Sequence, residues 1–125
     1  MSIASKKYYE LAKKTEEEMD SAGDEKTKRE LRKVCGQIYF YSGIEAIEFI
    51  LSKVGVSLYS ISSHKERKEV MQRNFKHFKK PMEIIQKYSI LIDYDYRRKV
   101  AYKGENGNKF IAIKEFAELC QDELK

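Results

Sequence analysis

One proline, six glycines and two cysteines are spread through 125 residues, and no uncharged apolar run approaches the roughly 18 to 20 residues of a membrane span. The stretch from Met1 to Lys14 carries Lys6, Lys7 and Glu10 where a secretory leader would be apolar, so a cytoplasmic chain without a membrane partner is expected. Cys35 and Cys120 stand far apart inside apolar stretches, with no Cys-x-x-Cys or Cys/His spacing that would hold zinc. Both are expected to be reduced core residues. A glycine-rich phosphate loop, a His-Glu-x-x-His helix, a nucleophile elbow and an EF-hand ligand series are all missing. No metal or cofactor is therefore expected.

What is present is charge and helical period. Charged residues make up 36% and apolar residues 42%, a balance that suits long solvated helices around one core. At this length one domain is the default, and the expected fold is all-α, an up-and-down bundle of four to five helices over residues 1–125. Ala4, Tyr8, Leu11, Thr15, Met19 and Ala22 recur at three- and four-residue steps, predicting a first helix with one buried stripe that ends at Gly23. Asp24 is placed to cap the next helix, about Glu25 to Val54, which turns apolar nearly all round from Val34 to Leu51 and is expected to be central. Gly36 and Gly43 lie seven residues apart on it, where a neighbouring helix can approach closely, and Gly55 is a natural stop.

Ser63 followed by Glu66 reads as a capping box opening a third helix, whose seam runs through Met71, Phe75, Phe78, Met82 and Ile85. Pro81 within that seam implies a kink or a division into two pieces. From Ser89 to Phe110 the preferred reading is continuing helix, a helical turn around Arg97 to Tyr102 and a polar loop from Gly104 to Asn108. The alternative is a short hairpin closed by Asn106-Gly107. A last helix carries Phe110, Ile113, Ala117, Cys120 and Leu124 on one face.

The net charge of +5 is uneven, because His64 to Lys80 holds seven basic residues against Glu66 and Glu69. Lys65, Lys68, Arg73, Lys76, Lys79 and Lys80, with Arg97, Arg98 and Lys103 in a second cluster, are the candidates for binding a phosphate backbone. A solvated helix face gives the same pattern. Arg73 and His77, one turn apart if the helix continues, are the candidate catalytic pair, since arginine can stabilise a phosphorane while histidine moves a proton. His64 reads as a surface residue, Glu45 and Glu48 as a structural polar pair, and the nine tyrosines as material for a pocket or a dimer face.

The long apolar second helix, the segment Tyr94-Asp95-Tyr96-Arg97-Arg98-Lys99-Val100-Ala101-Tyr102-Lys103-Gly104 and the final helix after a polar loop together resemble the HEPN superfamily of helical bundles. The resemblance spans most of the chain and implies the scaffold, homodimerisation and binding of RNA or a protein partner. In catalytic members an arginine, often followed by a polar residue, is separated from a histidine by four to six residues. Here Arg97 and Arg98 have no histidine after them, and only three residues separate Arg73 from His77. The resemblance thus implies a non-enzymatic member; the alternatives are a metal-independent endoribonuclease using Arg73 and His77, and a protein-interaction bundle with no nucleic-acid role.

Overall fold

The helix boundaries follow from local capping chemistry. In a computed structural model, which describes residues 2–125, helix α1 (Ile3–Ser21) is followed after a tight turn by α2 (Glu25–Lys53), whose first turn is capped by the Asp24 carboxylate accepting from the Thr27 amide at 3.0 Å. At the other end of α2, Gly55 at φ 89° lets its own amide reach the Ser52 carbonyl and the Val56 amide reach that of Leu51, the Schellman ending that favours glycine. Helix α3 (His64–Arg73) is opened by Ser63, whose hydroxyl accepts from the Glu66 amide, while the Glu66 carboxylate reaches back to the amide and hydroxyl of Ser62. Helices α4 (Pro81–Leu91), α5 (Tyr94–Ala101) and α6 (Asn108–Glu123) complete the fold. Among the described residues no strand forms, and Asn106-Gly107 leads into α6 instead of closing a hairpin.

The all-α class stands, with six α-helices among the described residues where four to five helices were expected. The difference arises at Pro81 and Asp93. Proline lacks the amide that a continuing helix needs and sits at the first position of α4, so the chain between Arg73 and Pro81 is a 3-10 turn and a short extended link. Asp93 accepts from the amides of Asp95 and Tyr96 and starts α5 afresh. Because the seam is broken, Phe75 and Met82 are exposed, whereas Met71 and Phe78 are buried.

Helix α2 lies at the centre, packed on α1 along one side and on α6 along another, with α5 across its middle. Its glycines are where partners come closest. A β-carbon at Gly36 would lie 2.6 Å from Val100 of α5, and one at Gly43 would overlap the Phe116 ring of α6. Gly43→Ala is expected to lower stability, since overpacking costs about 1–3 kcal/mol and outweighs the roughly 1 kcal/mol helix advantage of alanine. Urea unfolding reads the result, and Gly23→Ala, which meets nothing within 4 Å, is the control.

The buried face of α1 differs from the expected stripe. Ser5, Ala12, Thr15 and Met19 are buried, while Tyr8 and Leu11 are exposed. Small residues face α2 because the two helices pack closely: the Ser5 hydroxyl donates to the Ser42 carbonyl at 2.7 Å and the Cys35 thiol to the Ala12 carbonyl at 3.3 Å. Both cysteines are buried and unpaired, and burial pushes the Cys35 thiol up to about 12.

A cationic, tyrosine-rimmed pocket as the candidate binding site

Where α5 crosses α2 beside the start of α3, a pocket of about 130 Å³ opens. Its inner wall is Gly36, Phe40 and Ile113; its charged wall is Arg97 and Arg98 of α5; Tyr41, Tyr94 and Tyr102 stand around it. All three are exposed, Tyr41 on α2 and Tyr94 and Tyr102 from the tyrosine-rich segment, and Tyr94 and Tyr102 approach with ring centroids 6.4 Å apart. No aspartate or glutamate lines the pocket.

Arg97 is held in place by two contacts. Its Nη1 donates to the Leu91 carbonyl at 2.7 Å, one of the acceptors left open at the end of α4, and its guanidinium lies 4.8 Å over the Phe40 ring. Among the described residues no carboxylate comes within ion-pair distance of it, and burial draws its pKa below the ordinary arginine value. Asp93, one helical turn before Arg97, spends its carboxylate on capping α5. A partly buried guanidinium without a counter-ion is an open site for an anion.

His64 is a wall of this pocket, not the surface residue expected from the sequence. As the first residue of α3 it sits edge-on to Phe40 at 5.4 Å and to Tyr88 at 6.2 Å. Its Nδ1 lies 3.0 Å from Arg67 Nη1 and 3.2 Å from the Tyr88 hydroxyl. An arginine nitrogen only donates, so Nδ1 is an acceptor and the imidazole proton resides on Nε2. Arg67 is fixed in turn by the Glu48 carboxylate, which accepts from its Nε at 2.9 Å and its Nη2 at 2.6 Å. Glu48 is thus the partner of Arg67 across helices, not of Glu45. Burial first, then the charges of Arg97 and Arg67, lower the His64 pKa from 6.5 to about 4. Near neutral pH the ring is a neutral Nε2–H donor. Its Nδ1 is occupied by Arg67 and Tyr88, which leaves Nε2–H as the ring's remaining polar group at the pocket wall.

Nothing in the family models, the curated proteins or the solved structures matches this chain.

Of the residues singled out in the sequence, the structure brings Arg97 and Arg98 together in the pocket and leaves Lys103 exposed beyond the end of α5. Lys65 is exposed one residue after His64, and Lys68 is half-buried on the same helix. Lys79 and Lys80 belong elsewhere: their amides donate to the Glu123 carboxylate at 2.6 and 2.7 Å, ten residues along α6 from Ile113 and so roughly 15 Å from the pocket wall. Lys76 is exposed on the 3-10 turn between α3 and α4. Arg73 and His77 are exposed, but α3 ends at Arg73 with Asn74 as its cap and His77 lies in the 3-10 turn, so the one-turn helical pairing does not form. Sequence reasoning missed His64, Arg67 and Tyr88: the first two are one turn apart on α3, but Tyr88 of α4 joins them only through tertiary packing, and the available signal was the tyrosines flanking basic residues.

The pH dependence of stability follows from His64. The unfolded chain takes up a proton there as pH falls below 6.5, and the folded chain does not until about 4, so this contribution is complete above 6.5 and is lost between 6.5 and 4. Glu45, held above its ordinary pKa by burial and by Glu48, acts in the opposite sense, which makes a difference measurement necessary. The thermal midpoint is expected to fall over this window less steeply in His64→Gln than in the parent. Equal slopes would remove His64 from the account.

Proposed function

We propose that this chain is a non-enzymatic, HEPN-like helical bundle that binds single-stranded RNA through the pocket between α2, α3 and α5. The supporting observation is a wall carrying Arg97 and Arg98 with no carboxylate beside it, ringed by exposed tyrosines. Guanidinium groups pair with phosphate oxygens, and tyrosine faces stack on unpaired bases, so the two together suit a strand whose bases are splayed out. A duplex hides those faces and is the poorer ligand. Two unpaired buried cysteines suit a reducing cytoplasm. The fold class, all-α with a long central apolar helix, is compatible with the HEPN scaffold, and no helix among the described residues is long and apolar enough to cross a membrane.

A titration of labelled single-stranded RNA at several salt concentrations tests this reading. Two arginine–phosphate contacts predict a slope of log affinity against log salt of about −1.4, at roughly −0.7 per contact on a single strand, with the RNA recovered intact. Absence of binding, or cleavage of the RNA, would overturn it. A second reading, homodimerisation through α1, rests on Ile3, Tyr8 and Leu11, which are exposed on that helix; Ile3 is 72% exposed. Sedimentation of the protein alone addresses it.

A further inference from the structure

The charges that face this pocket set which part of a nucleic acid it accepts. Arg97 and Arg98 contribute two positive charges, the lining contains no acid, and His64 adds a neutral donor. An internal phosphodiester supplies one negative charge, whereas a terminal phosphomonoester carries about −1.5 to −2 near neutral pH and three oxygens that accept hydrogen bonds. Charge in a partly desolvated site is costly unless balanced, so the dianion is the better match. Size points the same way. At about 130 Å³ the pocket is well below the roughly 300–1,000 Å³ of sites that engulf a whole small-molecule ligand, so it encloses a small group and leaves the remainder outside. Tyr94 and Tyr102, 58% and 61% exposed, stand at the rim where that remainder would lie.

We propose that the pocket is a receptor for the phosphomonoester end of a nucleotide or short strand, the phosphate seated against Arg97, Arg98 and the Nε2–H of His64 and the terminal base stacked on Tyr94 or Tyr102. This rests on the RNA-binding reading above and narrows it to strand ends. The neighbours of His64 are consistent with the role. Arg67 of α3, Tyr88 of α4 and Arg97 of α5 surround it with donors and positive charge, and Glu48 of α2 reaches it only through Arg67, so the ring faces an incoming anion as a neutral donor. Arg67 is accordingly a positioning residue: it fixes the tautomer and does not itself line the pocket.

The test compares one short RNA with a 5′-phosphate, a 3′-phosphate or hydroxyls at both ends, alongside a mononucleotide, the matching nucleoside and inorganic phosphate, on the parent protein and on Arg98→Ala and Tyr102→Ala. Both substitutions fall at surface-accessible positions, and circular dichroism checks the fold. A phosphorylated end is expected to bind on the order of tenfold or more tightly than the hydroxyl form, with that advantage reduced in Arg98→Ala. The mononucleotide is expected to compete while the nucleoside does not, and Tyr102→Ala is expected to weaken the mononucleotide but not inorganic phosphate. Equal affinity for all strand ends, with binding still lost in Arg98→Ala, would overturn the end-specific proposal and leave the RNA-binding reading standing. Inorganic phosphate competing as well as the mononucleotide would overturn the nucleotide part. No binding of any RNA would remove both.

Discussion

Replacing Arg97 with methionine is expected to weaken RNA binding by roughly 10- to 100-fold while leaving the helical fold in place. The reasoning starts from the guanidinium's surroundings. It is partly buried over Phe40, is anchored by the Leu91 carbonyl and has no carboxylate among the described residues to neutralise it. A charge-assisted hydrogen bond contributes about 1.5–3 kcal/mol, and each 1.4 kcal/mol is a factor of ten in affinity. Methionine retains an apolar body against Phe40 and loses the bond to Leu91, a cost of about 1 kcal/mol in stability. Arg97→Lys is not equivalent, since a point charge on a flexible stem cannot donate to Leu91 and to a phosphate in the same geometry. The salt series checks both variants. Unchanged affinity in Arg97→Met would detach the pocket from RNA binding.

The largest loss of stability is expected from Phe116→Ala, about 3–5 kcal/mol, a substantial part of the 5–15 kcal/mol that holds a domain of this size together. Phe116 is fully buried, stacks on Tyr88 at 5.6 Å with rings inclined by 10°, lies 5.9 Å from Phe40 and fills the space left by Gly43. Little around it can collapse into the void, because its neighbours are themselves fixed: Tyr88 by Arg67, and Phe40 beneath Arg97. The same substitution frees Tyr88 to move relative to His64, so RNA affinity is expected to fall together with stability. Urea unfolding measures the first effect. A loss below 1 kcal/mol would mean that the ring cluster is not the centre of the core.

The elements legible in the sequence were those whose signal is local. Asp24, Gly55 and Ser63 mark helix ends because caps act within a few residues, and α2 stands out because apolar residues surround it. The buried side of α1 was misplaced because Ser5 and Ala12 carry little hydropathy, and close packing selects them for size. Phe116 fell outside the stripe of Phe110, Ile113, Ala117 and Cys120, since α6 contacts both α2 and α4 and buries a wider arc than one stripe. At the site, Arg97 and Arg98 were legible as charge. His64 was not, because the 32 residues between it and Arg97 are bridged only when α3 and α5 dock on α2, and Arg73 and His77 looked paired only if the helix ran past Arg73, where α3 ends. Basic residues dense in sequence were separated in space, Lys79 and Lys80 being drawn to Glu123.

The most direct test of the account is an NMR titration of isotopically labelled protein with single-stranded RNA, following the backbone amides together with the arginine Nε–H, histidine and tyrosine ring signals. The expected result is that Arg97, Arg98, His64, Tyr94 and Tyr102 shift together and saturably, with His64 remaining neutral and protonated on Nε2. Shifts confined to Lys76, Lys79 and Lys80, with the pocket signals unmoved, would contradict it.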